Sequence, residues 1–266
     1  MPSDPRDWPF PDNFGRRWRA GSLIVQGSVL LLAKAVMRLS QRVQYKNYDL
    51  MKWAIFDRPT GTPLITVCNH VSFVDDPGVW GAFSLRMVTE GRMRWIPGAK
   101  EYTFVNKVAN FVFSRGQVVP VVRGEGVHQR GMDHCLDQLN KGGWVHIYPE
   151  GKINCRGEAL RYKWGVGRLI AEAKTLPIVI PFWHVGMEDI LPNTKPYCPR
   201  FLKKLTVFVG EPIDFSAMVK QYTPTAVELR KHLTDTIQHT LGELKASAHA
   251  LHDSWHTTFP VQFRTL

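Results

Sequence analysis

Cysteine is scarce. The four in 266 residues are Cys68, Cys135, Cys155 and Cys198, with no C-x-x-C pair and no histidine at zinc-finger spacing from two of them. A disulfide framework or zinc module is therefore not expected; free thiols and no metal site are. Acidic residues are also few: 23 Asp and Glu face 34 Lys and Arg, a net charge of +11 with histidine neutral. Such an excess points to an anionic partner, whether nucleic acid, a membrane surface or a phosphate-bearing substrate. The basic residues are scattered, with no basic recognition helix or aromatic-studded strands, so nucleic acid is not expected. Internal repeats, low-complexity tracts and linkers are lacking too. A hydrophobic fraction of 44% and a charged fraction of 21% suit one globular unit with a real core. The opening MPSDPRDWPFPDNF carries Asp4, Asp7 and Asp12 and four prolines, unlike a secretory signal or an acid-poor transit peptide, so any organelle address is expected to be internal.

Long apolar runs are absent but for one. SLIVQGSVLLLAKAVM, residues 22–37, is broken only by Gln26 and Lys34 and flanked by Arg16, Arg17, Arg19, Arg38 and Arg42. As a helix it would be roughly 25 Å long, short of the ~30 Å hydrocarbon core. With Trp8 and Trp18 nearby, it is expected to lie in one leaflet of an anionic membrane surface; a buried core helix is the plainer reading. The chain thus divides into an N-terminal segment, 1–45, carrying this helix, and a main domain, 46–266.

Across the main domain the pattern alternates. β-like runs stand at 65–69, 93–98, 118–123, 144–151, 177–186 and 205–213, with helical stretches near 78–86, 102–113, 128–140 and 160–174. That order predicts an α/β layered domain whose sheet is mixed and largely parallel. Within 102–113, Phe104, Val105, Val108 and Val112 read as a core face, or else as an apolar slot for an acyl chain. A last amphipathic helix is predicted from Thr225, capped by Thr225 and Glu228, with Leu229, Leu233, Ile237 and Leu241 on one face. The late histidines His232, His239, His249, His252 and His256 follow no ligand spacing.

The chemistry concentrates after the first β run, in NHVSFVDDPGVW. His70 and Asp75 could meet if His70 ends the strand and Asp75 opens a helix. Asp76 before Pro77 reads as an N-cap with proline at the first helical position. An aspartate there can hold one imidazole nitrogen and leave the other free as a base. Helix N-terminal N–H groups could also bind an anion. On spacing alone, capping and catalysis both fit. Ser72 lacks a G-x-S-x-G elbow.

Three further motifs come in order: FSRG at 113–116, YPEG at 148–151 and IVIPFW at 178–183. Together with NHVSFVDD they resemble the four motifs of the glycerolipid acyltransferases. The resemblance implies that family's layered α/β fold, with His70 and Asp75 as the catalytic pair. It implies substrate-binding roles for Asn69, Arg115, Glu150, Gly151 and Pro181. The arginine that follows Glu-Gly-Thr in the family's third motif is missing, since this chain reads Glu150-Gly151-Lys152-Ile153. Lys152, or Arg156, Arg161 or Lys163, would supply a point charge in its place.

The likeness is closer still, over roughly residues 60–215, to the branch that exchanges acyl chains between phospholipids. That implies CoA-independent transacylation with no cofactor, and cardiolipin remodelling in mitochondrial membranes facing the intermembrane space. Lysocardiolipin would be the acceptor and a phosphatidylcholine-type lipid the donor. The competing expectations are an acyl-CoA-dependent enzyme with the same dyad and a non-catalytic membrane scaffold. A homo-oligomer is left open.

Overall fold

The computed structural model describes residues 8–195 and 197–254. Asp4, Asp7 and His256 lie outside the described residues. Helix α1 (Arg16–Ser40) leads into strand β1 (Gln41–Lys46) and α2 (Tyr48–Phe56). Then come β2 (Leu64–Val67), α3 (Asp75–Trp80), α4 (Arg86–Thr89), β3 (Ile96–Ala99), α5 (Lys100–Thr103), α6 (Lys107–Arg115) and β4 (Val118–Val121). The second half holds α7 (Arg130–Asn140), β5 (Trp144–Ile147), α8 (Gly165–Glu172), β6 (Ile178–Val185), α9 (Met187–Ile190), β7 (Lys203–Val209), α10 (Ser216–Val219) and α11 (Val227–Asp253).

The main sheet has the order β1-β7-β6-β2-β5. Its neighbours run parallel except β6 and β7. The parallel pair β3-β4 joins it through a bridge from Trp95 to Val145. This is the expected mixed, largely parallel α/β sheet. Side chains alternate across it, as a pleat requires. Leu64, Trp144 and Phe182 pack with Leu30, Met51 and Trp80 of the first helices. Ile65, Val145 and Val179 face Cys135, Leu169 and Leu233 of α7, α8 and α11.

Several element ends differ from expectation for identifiable reasons. The edge strand β1 carries only Val43 and Tyr45 as alternating apolar residues, too weak a period to read. Because β1 pairs with β7, a segment boundary at residue 45 would cut through it. Asn106 caps α6, accepting from the Ala109 N–H, so that helix starts later than 102. Residues 160–164 do not join α8: the Lys163 N–H donates to the Pro149 carbonyl instead. The Thr225–Glu228 capping box does not form; Ala226 is the N-cap of α11 and has no side-chain cap. Its apolar face does form, with Leu229, Leu233, Ile237 and Leu241 fully buried. Asp76 is no N-cap either, since α3 starts at Asp75 after Val74.

Helix α1 has 25 residues, about 37 Å at 1.5 Å per residue, longer than the 22–37 run suggested. By length and composition Arg16–Met37 could cross a membrane, and only 17% of its apolar window is buried. Gln26, Leu30 and Ala33 face inward while Ile24, Leu31 and Leu32 are exposed. The 102–113 stretch shows the same asymmetry: Phe104 is buried, but Val105, Val108 and Val112 are exposed. The core reading holds there for Phe104 alone.

One close approach fixes the helix layer. A Cβ on Gly167 of α8 would sit 2.2 Å from the Arg230 carbonyl oxygen of α11. Gly167→Val is therefore expected to destabilise the fold by about 2–3 kcal/mol through overpacking. Urea unfolding should show a lower midpoint with an unchanged slope.

Candidate active site

The site is built by strand register. β2 lies between β5 and β6, with Val67 opposite both Ile147 and Pro181. Beyond the strand ends the same alignment sets His70 level with Glu150 and His184, and the Asn69 side chain reaches the His184 backbone. Motifs far apart in the chain thus meet at the carboxyl ends of three parallel strands, where open α/β sheets place ligands.

His70 Nδ1 lies 2.8 Å from Asp75 Oδ2. The same oxygen accepts the Val71 and Ser72 N–H groups at 2.7 and 2.9 Å. Asp75 is fully buried, while the His70 side chain is 21% exposed. Three donors on one carboxylate oxygen stabilise the anion and orient the ring. His70 Nε2 makes no hydrogen bond among the described residues. The Val71 and Ser72 N–H groups belong to the turn before α3 and are spent on Asp75. Further support comes from the His70 N–H donating to Glu150 Oε1 at 2.9 Å and the Asn154 N–H donating to the His70 carbonyl at 2.6 Å. Burial pushes the Glu150 carboxyl up, against the downward pull of that N–H.

Asn69 is buried and faces the protein. Its amide donates to the His184 carbonyl and accepts the His184 N–H, both at 3.0 Å, extending the β2–β6 pairing by a side chain. Gly151 adopts a φ of +71°, a conformation that favours glycine. A Cβ there would meet the Lys163 side chain at 3.0 Å. Lys163 is thus the basic side chain laid across the Glu150-Gly151 turn. Lys152 is half-exposed and pairs at 3.9 Å with Glu158, which Arg156 also approaches. Arg161 lies over the Trp164 ring. Pro181 sits within β6, and its carbonyl accepts the Gly210 N–H. Arg115 is turned toward α1: its guanidinium stands 3.4 Å from the Trp18 ring centroid, and Gln26 donates to its carbonyl. Partial burial lowers the Arg115 pKa.

Four contributors were not legible in the sequence. Tyr148 stacks on His70, with ring centroids 4.0 Å apart and planes 13° from parallel. His184 Nε2 stands 3.7 Å from Asp75 Oδ1. Asn193 donates to the Val71 carbonyl at 2.5 Å. Arg94 pairs with Asp76, which also accepts from Trp80 Nε1 at 2.8 Å. Burial alone would raise the Asp76 carboxyl; Arg94 outweighs it and holds the group below its usual range. Beneath the dyad, burial pushes the His146 imidazole down to about 3, keeping it neutral against Thr66. Among the described residues no cluster of His, Cys, Asp and Glu could hold a metal ion.

An oriented imidazole with one free nitrogen, at the end of a parallel sheet, can take a proton from a hydroxyl. The solved structure of the 1-acyl-sn-glycerophosphate acyltransferase from Thermotoga maritima matches 86% of this chain and 83% of its own, with TM-score 0.56 and 19% identity, a likeness of fold. The acyltransferase family model matches residues 54–185. This is a glycerolipid-acyltransferase fold, and the protein is an acyltransferase. Tafazzin of Drosophila melanogaster is 39% identical over 253 residues, covering 92% of this chain and 67% of that protein. N-acylphosphatidylethanolamine synthase of Arabidopsis thaliana is 36% identical over 228 residues, covering 83% of this chain and 80% of that one. The chain belongs to the acyltransferase family and is a homologue of tafazzin.

Proposed function

We propose that this acyltransferase is a CoA-independent phospholipid–lysophospholipid transacylase, with His70 as general base and Asp75 as the residue that orients it. The observation that carries the reading is the split imidazole: Nδ1 is held by the buried Asp75 while Nε2 stays open on the partly exposed side. Nε2 takes the proton of a lysolipid hydroxyl as that oxygen attacks the acyl ester carbonyl of a second phospholipid. Asp75 stabilises the imidazolium. Collapse of the tetrahedral intermediate breaks the original ester bond, and the departing glycerol oxygen takes the proton back. Ester-for-ester exchange needs neither a thioester nor a cofactor.

Glu150 and Gly151 shape the glycerol end of the site, with Lys163 as the nearby charge and Lys152 within reach. A point charge without arginine's bidentate fork suits a phosphodiester better than a phosphate monoester. Cardiolipin as the lipid remodelled and a mitochondrial membrane as the location are part of this proposal, taken from the likeness to the transacylase branch of the family. The exposed apolar face of α1, with Arg16, Arg17 and Arg19 at its start, supports attachment to an anionic membrane surface.

The test is exchange in vesicles. Acyl-labelled phosphatidylcholine and unlabelled lysocardiolipin are mixed with purified protein and no CoA; label is expected in cardiolipin. Transfer only after acyl-CoA is added would replace this reading by the acyl-CoA-dependent one. A phosphatidylethanolamine arm is warranted by the 36% identity to the Arabidopsis synthase. Label on its nitrogen, with no ester exchange, would move the acceptor from a hydroxyl to an amine.

A further inference from the structure

The ring stacked on His70 has a chemical consequence. Tyr148 comes directly after β5, and the β2–β5 register sets it beside the strand end that carries His70. Its ring lies nearly parallel to the imidazole, 13° apart at a centroid distance of 4.0 Å. The Tyr148 ring is itself held edge-on by His146, at 4.6 Å and 82°. His146 stacks in turn on the buried Phe182. Tyr148 is thus fixed from behind and presents its face to His70. Its hydroxyl is buried and has no hydrogen-bond partner among the described residues. The useful part of this side chain at the site is therefore the ring.

The π face of an aromatic ring carries negative charge density and attracts a cation within about 6 Å of its centroid. A general base becomes a cation as it takes the substrate proton, so the His70 imidazole gains positive charge as the reaction proceeds. Resting on the reading of His70 as general base, we infer that Tyr148 is a positioning residue that holds the imidazole plane by stacking and stabilises the imidazolium through its ring face. Asp75 acts at one edge of the imidazole; Tyr148 acts on its face. An attraction that grows as the proton moves lowers the barrier without tightening substrate binding, so it acts on kcat and leaves KM alone.

The experiment is an isosteric series at position 148 in the full-length protein, using the vesicle exchange assay. Tyr148→Phe keeps the ring and drops only the unpartnered hydroxyl, so it is the reference against which the rest of the series is read. Monofluoro- and trifluorophenylalanine at this position keep the shape while draining charge from the face. Tyr148→Leu removes the face altogether. The expected kcat falls stepwise along the series, reaching a loss of about three- to thirtyfold, with KM unchanged. A role in packing alone would leave the fluorinated proteins at the rate of Tyr148→Phe, and that result would overturn the inference. If Tyr148→Leu does not fold, the fluorinated pair still decides. His70→Ala is run alongside: activity there overturns the base assignment and this inference with it. Loss of activity in His70→Ala with a flat fluorinated series overturns the role of Tyr148 alone.

Discussion

Replacing His70 by alanine is expected to lower kcat for acyl transfer about 10²–10⁴-fold, the usual worth of a positioned general base. The fold should survive. The side chain is partly exposed, and Asp75 Oδ2 keeps the Val71 and Ser72 N–H groups when the imidazole is gone. Asp75→Asn should also fold. The amide oxygen can take the place of Oδ2, and its NH₂ group would then stand where Oδ1 has no hydrogen-bond partner among the described residues. The variant loses the charge opposite the imidazolium, and kcat should fall about as far as in His70→Ala. Because the two groups act as one unit, the double variant should be little worse than either single one. Initial rates with saturating lipid, beside vesicle co-sedimentation and circular dichroism, check all three proteins. A folded, vesicle-bound His70→Ala protein that exchanges acyl chains at the normal rate would sink the assignment.

Arg94→Ala should cause the largest loss of stability, about 3 kcal/mol, because it leaves Asp76 without its counter-charge in a mostly buried setting. The loss sits at the low end for buried pairs because the Asp76 side chain retains 20% exposure and still accepts from Trp80. The pH dependence comes from the direction of the Asp76 shift. Its folded pKa is lowered from the ordinary 3.8. The pair therefore contributes fully above that value and is lost as pH falls through the lower folded pKa. Wild type and Arg94→Ala should thus differ most near neutrality and converge below about pH 4. Denaturant unfolding of both proteins across this range measures it. A constant gap from pH 7 to pH 3 would mean that the guanidinium stabilises the fold by packing rather than by charge.

The same two neighbourhoods separate what was readable from what was not. The order of elements could be read because a parallel sheet buried on both faces demands near-continuous apolar strands, and β2, β5 and β6 supply them. The α11 face was readable for a similar reason, since helical spacing and burial coincide. The caps expected at Thr225 and Asp76 do not form; at Asp76 the side chain takes a stronger tertiary partner. Asp76 has Arg94, and no local pattern couples those two positions. The exposed faces of α1 and α6 were equally ambiguous, since an apolar helix face has the same composition whether it meets a core or a lipid.

His70 and Asp75 stand close in sequence, and their meeting needed only a turn from strand to helix, so the pair was visible from the chain itself. By itself the sequence determined the layered α/β class, the four motifs in order and the residue types able to move a proton. The tertiary structure alone decided which groups serve that pair. Strand register, a long-range property, places Tyr148 on the ring, Glu150 on the backbone N–H and His184 behind the aspartate. Helix packing turns Arg115 toward Trp18, and the loop before α8 lays Lys163, rather than Lys152, across Gly151. Hydrophobic periodicity specifies which face of a strand is buried; which strand lies beside it depends on the packing of the whole sheet, and the surroundings of the dyad are set by that packing.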